Sequence, residues 1–209
     1  MDMQFYGANC LVLSNKQNRV VIDDNMTSLG AKGVTKEGDI CLFTGKHPQM
    51  TIATKLTIDM PGEYEVSNIS ILGMQVRSHM NESGEETAVL YKVTWGDTRV
   101  LITGHIFPKL TDDQLEEIGI VDIMFVPVGG NGYTLDAAGA LQLVKSVEPK
   151  LVIPTHYADD RLKYEVPQAN LDEVLHTLGM EVKETVTKLQ FKQAETSDTT
   201  QLVILEATR

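Results

Sequence analysis

The chain predicts an α/β fold of the α+β, four-layer kind: an αββα sandwich, two sheets packed face to face with helices on their outer sides. Two observations predict it. The first half is a succession of short aliphatic and β-branched runs before any helical pattern, and the second half alternates β-α-β-α-β-β. A third observation concerns chemistry: four histidines, His47, His79, His105 and His156, each close an apolar run, where a strand stops and a loop begins. If those strands lie side by side, the imidazoles gather at one rim of a sheet, which is where α/β folds place their chemistry.

The elements follow in order. Gln4-Phe-Tyr, Cys10-Leu-Val-Leu and Arg19-Val-Val-Ile-Asp, separated by polar turns such as Ser14-Asn-Lys-Gln-Asn, predict an antiparallel meander. Apolar runs at Asp39 to Phe43, Ser70 to Leu72, Val89 to Val93 and Arg99 to Ile102 predict further strands, and Trp95-Gly-Asp-Thr joins the last two as a hairpin turn. Thr111 and Gln114 form a capping-box pattern, which starts a short helix over about Asp112 to Ile118 that Gly119 ends. After Asp136, apolar residues at 137, 140, 141, 144 and 147 share one helical face, and Pro149 stops the helix. Leu151-Val-Ile reads as a buried strand. Asn170 caps a third helix that ends at Gly179, with Leu171, Val174, Leu175 and Leu178 inward, and the tail returns to strands at Lys188-Leu-Gln-Phe and Gln201-Leu-Val-Ile-Leu. The charged stretch Ala158 to Gln168 follows directly on His156 and is the expected wall of a pocket.

At 209 residues, 42% of them hydrophobic, the chain has enough apolar content for one core, and a single domain over residues 1–209 is expected. The net charge of −11, with Lys and Arg scattered, lacks the basic footprint of a nucleic-acid binder. No run approaches the roughly 20 apolar residues that span a bilayer, and no basic segment with an apolar signal core opens the chain, so a cytoplasmic protein without a membrane partner is expected. A small-molecule substrate or ligand is the expected partner. Cys10 and Cys41 lie inside apolar runs and read as buried free thiols.

The order of segments resembles the metallo-β-lactamase fold, and within it the compact bacterial metal-dependent hydrolases related to L-ascorbate-6-phosphate lactonase. The matching segments are Phe5-Tyr-Gly-Ala-Asn-Cys-Leu-Val-Leu, Val20-Val-Ile-Asp-Asp, Asp39-Ile-Cys-Leu-Phe-Thr-Gly-Lys-His-Pro-Gln-Met, Met60-Pro-Gly-Glu-Tyr-Glu-Val, Val100-Leu-Ile-Thr-Gly-His, Asp122-Ile-Met-Phe-Val-Pro-Val-Gly-Gly and Ile153-Pro-Thr-His-Tyr. Active members are similar to one another in a His-x-His-x-Asp-His motif that supplies most of a two-metal site. The corresponding positions here are Gly45, Lys46, His47, Pro48, Gln49 and Met50, so only His47 is kept. The resemblance also implies histidines at His79 and His156, which are present, and a bridging aspartate where His105 stands; Ala8 replaces an early histidine.

These departures have a physical consequence. Two dications a few ångströms apart need anionic ligands to offset their repulsion, and both carboxylate positions are gone. The resemblance then implies at most one ion, Zn²⁺, on His47, His79 and His105, with His156 as a fourth ligand or a proton carrier. Two readings stay open. One is a hydrolase in which metal-bound hydroxide attacks a lactone, ester or phosphoester while His156 or Lys46 stabilises the oxyanion. The other is a catalytically silent scaffold for ligand binding or assembly, and relatives of this type are expected to self-associate into homo-oligomers. Asp23 and Asp24 look like supports of the metal-binding loop or a plain strand-ending turn. Glu63 reads as a solvated hairpin residue, Gly129-Gly-Asn-Gly as a turn, and His176 as a surface residue.

Overall fold

A computed structural model of the chain describes residues 1–191 and 199–208. Strands β1 (Asp2–Gly7), β2 (Cys10–Ser14), β3 (Arg19–Ile22), β4 (Ile40–Leu42) and β5 (Leu56–Ile58), with β13 (Leu189–Gln190), form a six-stranded sheet in the order β13-β1-β2-β3-β4-β5. Strands β1 to β3 are the expected antiparallel meander, and β3, β4 and β5 run parallel.

The second sheet has eight strands. Its meander of β6 (Gly62–Val66), β7 (Ile69–Val76), β8 (Ala88–Trp95) and β9 (Thr98–Ile102) is followed in space by parallel strands β10 (Ile123–Pro127), β11 (Leu151–Thr155), β14 (Gln201–Leu205) and β12 (Val182–Val186). Trp95 pairs with Thr98, so Gly96 and Asp97 make the two-residue hairpin loop that the sequence predicts.

Alternation builds the interior. Phe5, Leu13, Ile22 and Leu42 of the first sheet meet Ile71, Tyr91, Phe125 and Ile153 of the second in one cluster. Tyr91 is fully buried there, and its hydroxyl donates across the sandwich to the carbonyls of Phe43 (3.2 Å) and Ile58 (3.3 Å). Strands β10 and β11 are buried at every position because helices cover their other face, which is why their sequences are continuous apolar runs.

Helices α1 (Asp112–Ile118) and α3 (Leu171–Leu178) carry the predicted caps at Thr111 and Asn170, and α2 (Ala137–Val147) is capped by Asp136. All three pack on the outer face of the eight-stranded sheet, where Ile118, Leu143, Val144 and Val174 meet Met124 and Val152. The outer face of the six-stranded sheet is covered by loops instead: Val34 and Met50 lie against Val21 and Phe43, and Met26 and Leu162 against Ala8 and Cys10. The β3–β4 connection carries Gly30 and Gly33 and no helical periodicity. It is tied down by Asp24, whose Oδ2 accepts from the N–H groups of Val34 and Thr35 and the Thr35 hydroxyl, each at 2.7 Å. Both cysteines are buried and free, as expected.

The two ends of the parallel strands differ. At one end the fully buried Asp122 accepts from Arg99 Nε (2.8 Å) and Nη2 (3.0 Å), and Lys150 Nζ stands 3.0 Å from it, so one carboxylate clips the starts of β9, β10 and β11 together. The other end is open, and the loops leaving β9, β10 and β11 there carry Gly104-His105, Gly129-Gly130 and His156. Gly104, at φ +61°, has no room for a Cβ because the Thr44 side chain fills that space, so the end of β4 abuts the end of β9.

Candidate functional site

His156 follows β11 with φ +55°, a left-handed conformation that a bulky residue adopts only when its surroundings hold it. Its N–H donates to the Ala8 carbonyl at 2.8 Å. Gly129 packs against it from β10, where any Cβ would collide with the His156 carbonyl and with Gln168. His105 arrives from β9. The His105 and His156 rings meet edge to face with centroids 4.6 Å apart. His79, on the loop after β7, joins them through its backbone N–H, which donates to the His105 carbonyl at 2.8 Å. Tyr133 lies 5.0 Å from the His105 ring and 6.0 Å from that of His156, and Tyr164 lies 5.2 Å from His156.

Hydrogen bonds set the imidazole orientations. Gln168 Nε2 donates to the Val166 carbonyl (2.8 Å), so its Oε1 faces His156 Nδ1 (3.0 Å) and accepts the proton there. His156 Nε2 is left with its lone pair. The Thr155 hydroxyl donates to Asn9 Oδ1 (2.9 Å), and Asn9 Nδ2 sits 3.1 Å from His105 Nε2. Turning the Asn9 amide over reverses both bonds and makes His105 Nδ1 an acceptor instead of a donor. Among the described residues, the buried Nδ1 atoms of His79 and His105 have no hydrogen-bond partner.

Burial governs the charge. It pulls the pKa of His156 down to about 4. Burial, and then the neighbouring His156 and His79, hold that of His105 well below the usual histidine value. His79 is lowered by burial and by Arg77, against the opposing charge of Asp136. The imidazoles of His105 and His156 are therefore neutral at pH 7, the form that ligates a metal.

His47 is a departure from the expected gathering. Its Nε2 pairs with Asp59 Oδ2 (3.1 Å), its Nδ1 faces the Pro48 carbonyl (2.8 Å), and its ring stacks on Phe43 with centroids 4.1 Å apart. Both ring nitrogens are thus taken. Lys46 beside it is exposed. Asp23 is the buried support of this loop, accepting from the Thr44 N–H and hydroxyl, each at 2.7 Å. Sequence reasoning missed Asn9, Tyr133, Tyr164 and Gln168. Asn9 had a signal, as a lone polar residue inside an apolar run; Gln168 had none.

The donor set decides what metal it suits. Among the described residues no carboxylate hydrogen-bonds to the imidazoles of His79, His105 and His156, and Asp136 acts on His79 only through its charge, so the cluster does not fit two dications. Among the described residues no three His, Cys, Asp or Glu side chains already converge on a metal position. The chemistry of three imidazoles, two with an unpartnered buried nitrogen and one with Nδ1 braced by a carbonyl oxygen, fits one ion once the rings turn toward it.

A family profile described as "Beta-lactamase superfamily domain" matches residues 2–156. A UPF0173 metal-dependent hydrolase of Carboxydothermus hydrogenoformans is 51% identical over 43 residues, which is 21% of this chain and 19% of that protein. One from Thermoplasma acidophilum is 44% identical over 47 residues, 21% of this chain and 20% of that protein. The matched stretch thus spans about a fifth of the length of each curated relative. Among solved structures, a protein of Thermotoga maritima proposed to be a Zn-dependent hydrolase of the metallo-β-lactamase superfamily superposes with a TM-score of 0.76 at 22% identity, covering 98% of this chain and 97% of that one. One of Parabacteroides distasonis, proposed to be a metal-dependent hydrolase, gives 0.65 at 17% identity, covering 99% and 93%. With the family profile spanning most of its length, the chain belongs to the β-lactamase superfamily domain family, and it shares its two-sheet fold with the metallo-β-lactamase neighbours.

Proposed function

We propose that the protein is a hydrolase of a small lactone, ester or phosphoester, and that His79, His105 and His156 hold one Zn²⁺ ion for that reaction. The curated relatives that the chain resembles over a fifth of its length are metal-dependent hydrolases, which supports a metal cofactor here. The observation that carries the reading is the pair of buried, unpartnered Nδ1 atoms on His79 and His105 beside the free Nε2 of His156. A buried ring nitrogen without a partner costs about 1–3 kcal/mol, which a ligated ion would remove. Neutral nitrogen donors suit Zn²⁺ better than the hard cations, which take oxygen ligands.

When bound, the ion supplies Lewis acidity toward the electrophile and an acidified water. The remaining work falls to the chain. Gln168 fixes the His156 tautomer with the lone pair on Nε2, and Asn9, with its amide turned so that Oδ1 accepts from His105 Nε2 and Nδ2 donates to Thr155 Oγ1, would leave the His105 lone pair on the unpartnered Nδ1. Tyr133 and Tyr164 wall the imidazoles and limit water there, which keeps His105 and His156 unprotonated at neutral pH. Lys46 is exposed beside His47.

The test is a Zn²⁺ titration of protein purified without a chelating tag, followed by assays on a lactone, an aryl ester and a phosphodiester. One equivalent is expected, with hydrolysis of at least one substrate class, both lost in His105→Ala. Fewer than about 0.2 equivalents, or full binding with no hydrolysis of any class, would leave the silent scaffold as the reading.

A further inference from the structure

A concavity of about 620 Å³ lies on the loop-covered face of the six-stranded sheet, and none of the three imidazoles lines it. That size suits a ligand of ordinary metabolite or lipid-fragment dimensions. Its floor is apolar, made by Tyr6, Met26, Val34 and Leu162. Its rim carries Arg19, Lys32, Lys36 and Arg161, with Asp159 as an acidic member. The chain has 18 Lys and Arg against 29 Asp and Glu, so four cations to one carboxylate around a single cleft runs against the whole-chain balance. Two of the cations are committed: Arg19 pairs with Asp39 at 3.0 Å and donates to the Val34 carbonyl, and Arg161 gives Nε and Nη2 to Asp159 and Nη1 to the Ala207 carbonyl. Lys32 and Lys36 are exposed at the mouth.

We infer that this cleft binds a small amphipathic anion, a phosphate or carboxylate head on an apolar body, with the head at Lys32 and Lys36 and the body on Met26, Val34 and Leu162. Charge selects the head, because a cation ring beside a low-dielectric floor focuses a positive field in an otherwise acidic protein. The apolar floor selects the body, at roughly 25 cal/mol per Å² covered. The loop walling this cleft is the one that serves the imidazoles from its other side. Leu162 packs against Gly7 in the cleft wall, and two residues later Tyr164 lies against His156, with Gln168 beyond it. The inference does not depend on hydrolysis.

Isotope-labelled full-length protein titrated with octyl phosphate, octanoate, octanol and inorganic phosphate, read by amide and arginine side-chain NMR shifts, tests it. Octyl phosphate and octanoate are expected to saturate shifts at Gly33, Val34 and Arg161. Octanol and inorganic phosphate should each bind at least tenfold more weakly, because each lacks one half of the recognition. Lys32→Glu with Lys36→Glu, two exposed changes, should weaken octyl phosphate at least tenfold, while His156→Ala leaves it unchanged. Equal binding of octanol or of inorganic phosphate, no saturation by octyl phosphate, or full affinity in the double variant would each overturn the proposal. Loss of octyl phosphate binding in His156→Ala would also overturn it, by moving the site to the imidazoles.

Discussion

Asp23→Asn should stabilise this protein at neutral pH, and the gain should vanish in acid. Asp23 is 5% exposed, at φ +46°, a conformation that Asn also tolerates. Its two oxygens accept from Thr44 N–H and Oγ1 at 2.7 Å each. Burial nonetheless outweighs these bonds and the nearby His47, and raises its pKa from 3.8 to about 6. Between those values the folded state holds the proton more tightly than the unfolded chain. The stability from this group is thus fully present below the unfolded pKa, falls as pH rises through the window, and is gone above the folded pKa. A shift of a little over two units, at 1.36 kcal/mol each, makes the ionised carboxylate cost about 3 kcal/mol. Asn keeps the acceptor for Thr44 N–H and reverses the bond to the hydroxyl, which lowers the expected net gain to about 1–3 kcal/mol at pH 8. In a chain of this length that corresponds to roughly 2–12 °C in Tm. Urea unfolding of wild type and variant at pH 8 and near pH 4 measures it, and the difference between the two proteins cancels the histidines, which titrate in both. An Asp23→Asn protein less stable than wild type at pH 8, or equally more stable at both pH values, would refute the reasoning.

Three further outcomes follow from the same geometry. Asp122→Ala removes the one carboxylate between Arg99 and Lys150 and should cost about 3–5 kcal/mol by urea unfolding, because it leaves two cations facing each other at the ends of three strands. Tyr91→Phe keeps the ring in the core and loses the hydroxyl bonds across the sandwich, so a loss of about 1 kcal/mol is expected, far below that of a truncation to Ala. Gln168→Ala frees His156 Nδ1 while leaving the fold intact by circular dichroism, and Zn²⁺ affinity should fall about 10–100-fold in calorimetric titration.

Much of this architecture was readable beforehand, and the reason is local physics. Thr111 with Gln114, and Asn170 with Gly179, marked helix ends because a cap needs an acceptor at one position and a left-handed residue at another. The Gly96-Asp97 hairpin, the β1–β3 meander and the doubly buried β11 announced themselves through turn chemistry and apolar period. The fourth layer did not: loops cover the outer face of the first sheet, since the β3–β4 segment is held by side chains, Asp24 on Val34 and Thr35 and Asp39 on Lys36, whose reach no periodicity encodes. At the site, strand-end position brought His79, His105 and His156 into one neighbourhood. His47 instead engages Phe43 and Asp59, through stacking and a pairing twelve residues away that no strand-end pattern encodes. Gln168 was invisible for the same reason, because its role depends on where a loop returns rather than on its neighbours in sequence.

The central claim, that three imidazoles at one sheet rim hold a single ion, is tested most directly by anomalous diffraction at the zinc absorption edge from crystals supplied with Zn²⁺. The account predicts one peak about 2.0–2.1 Å from nitrogens of His79, His105 and His156. A Zn²⁺-saturated crystal with no peak among those rings, or with its peak at His47 and Asp59, would contradict it.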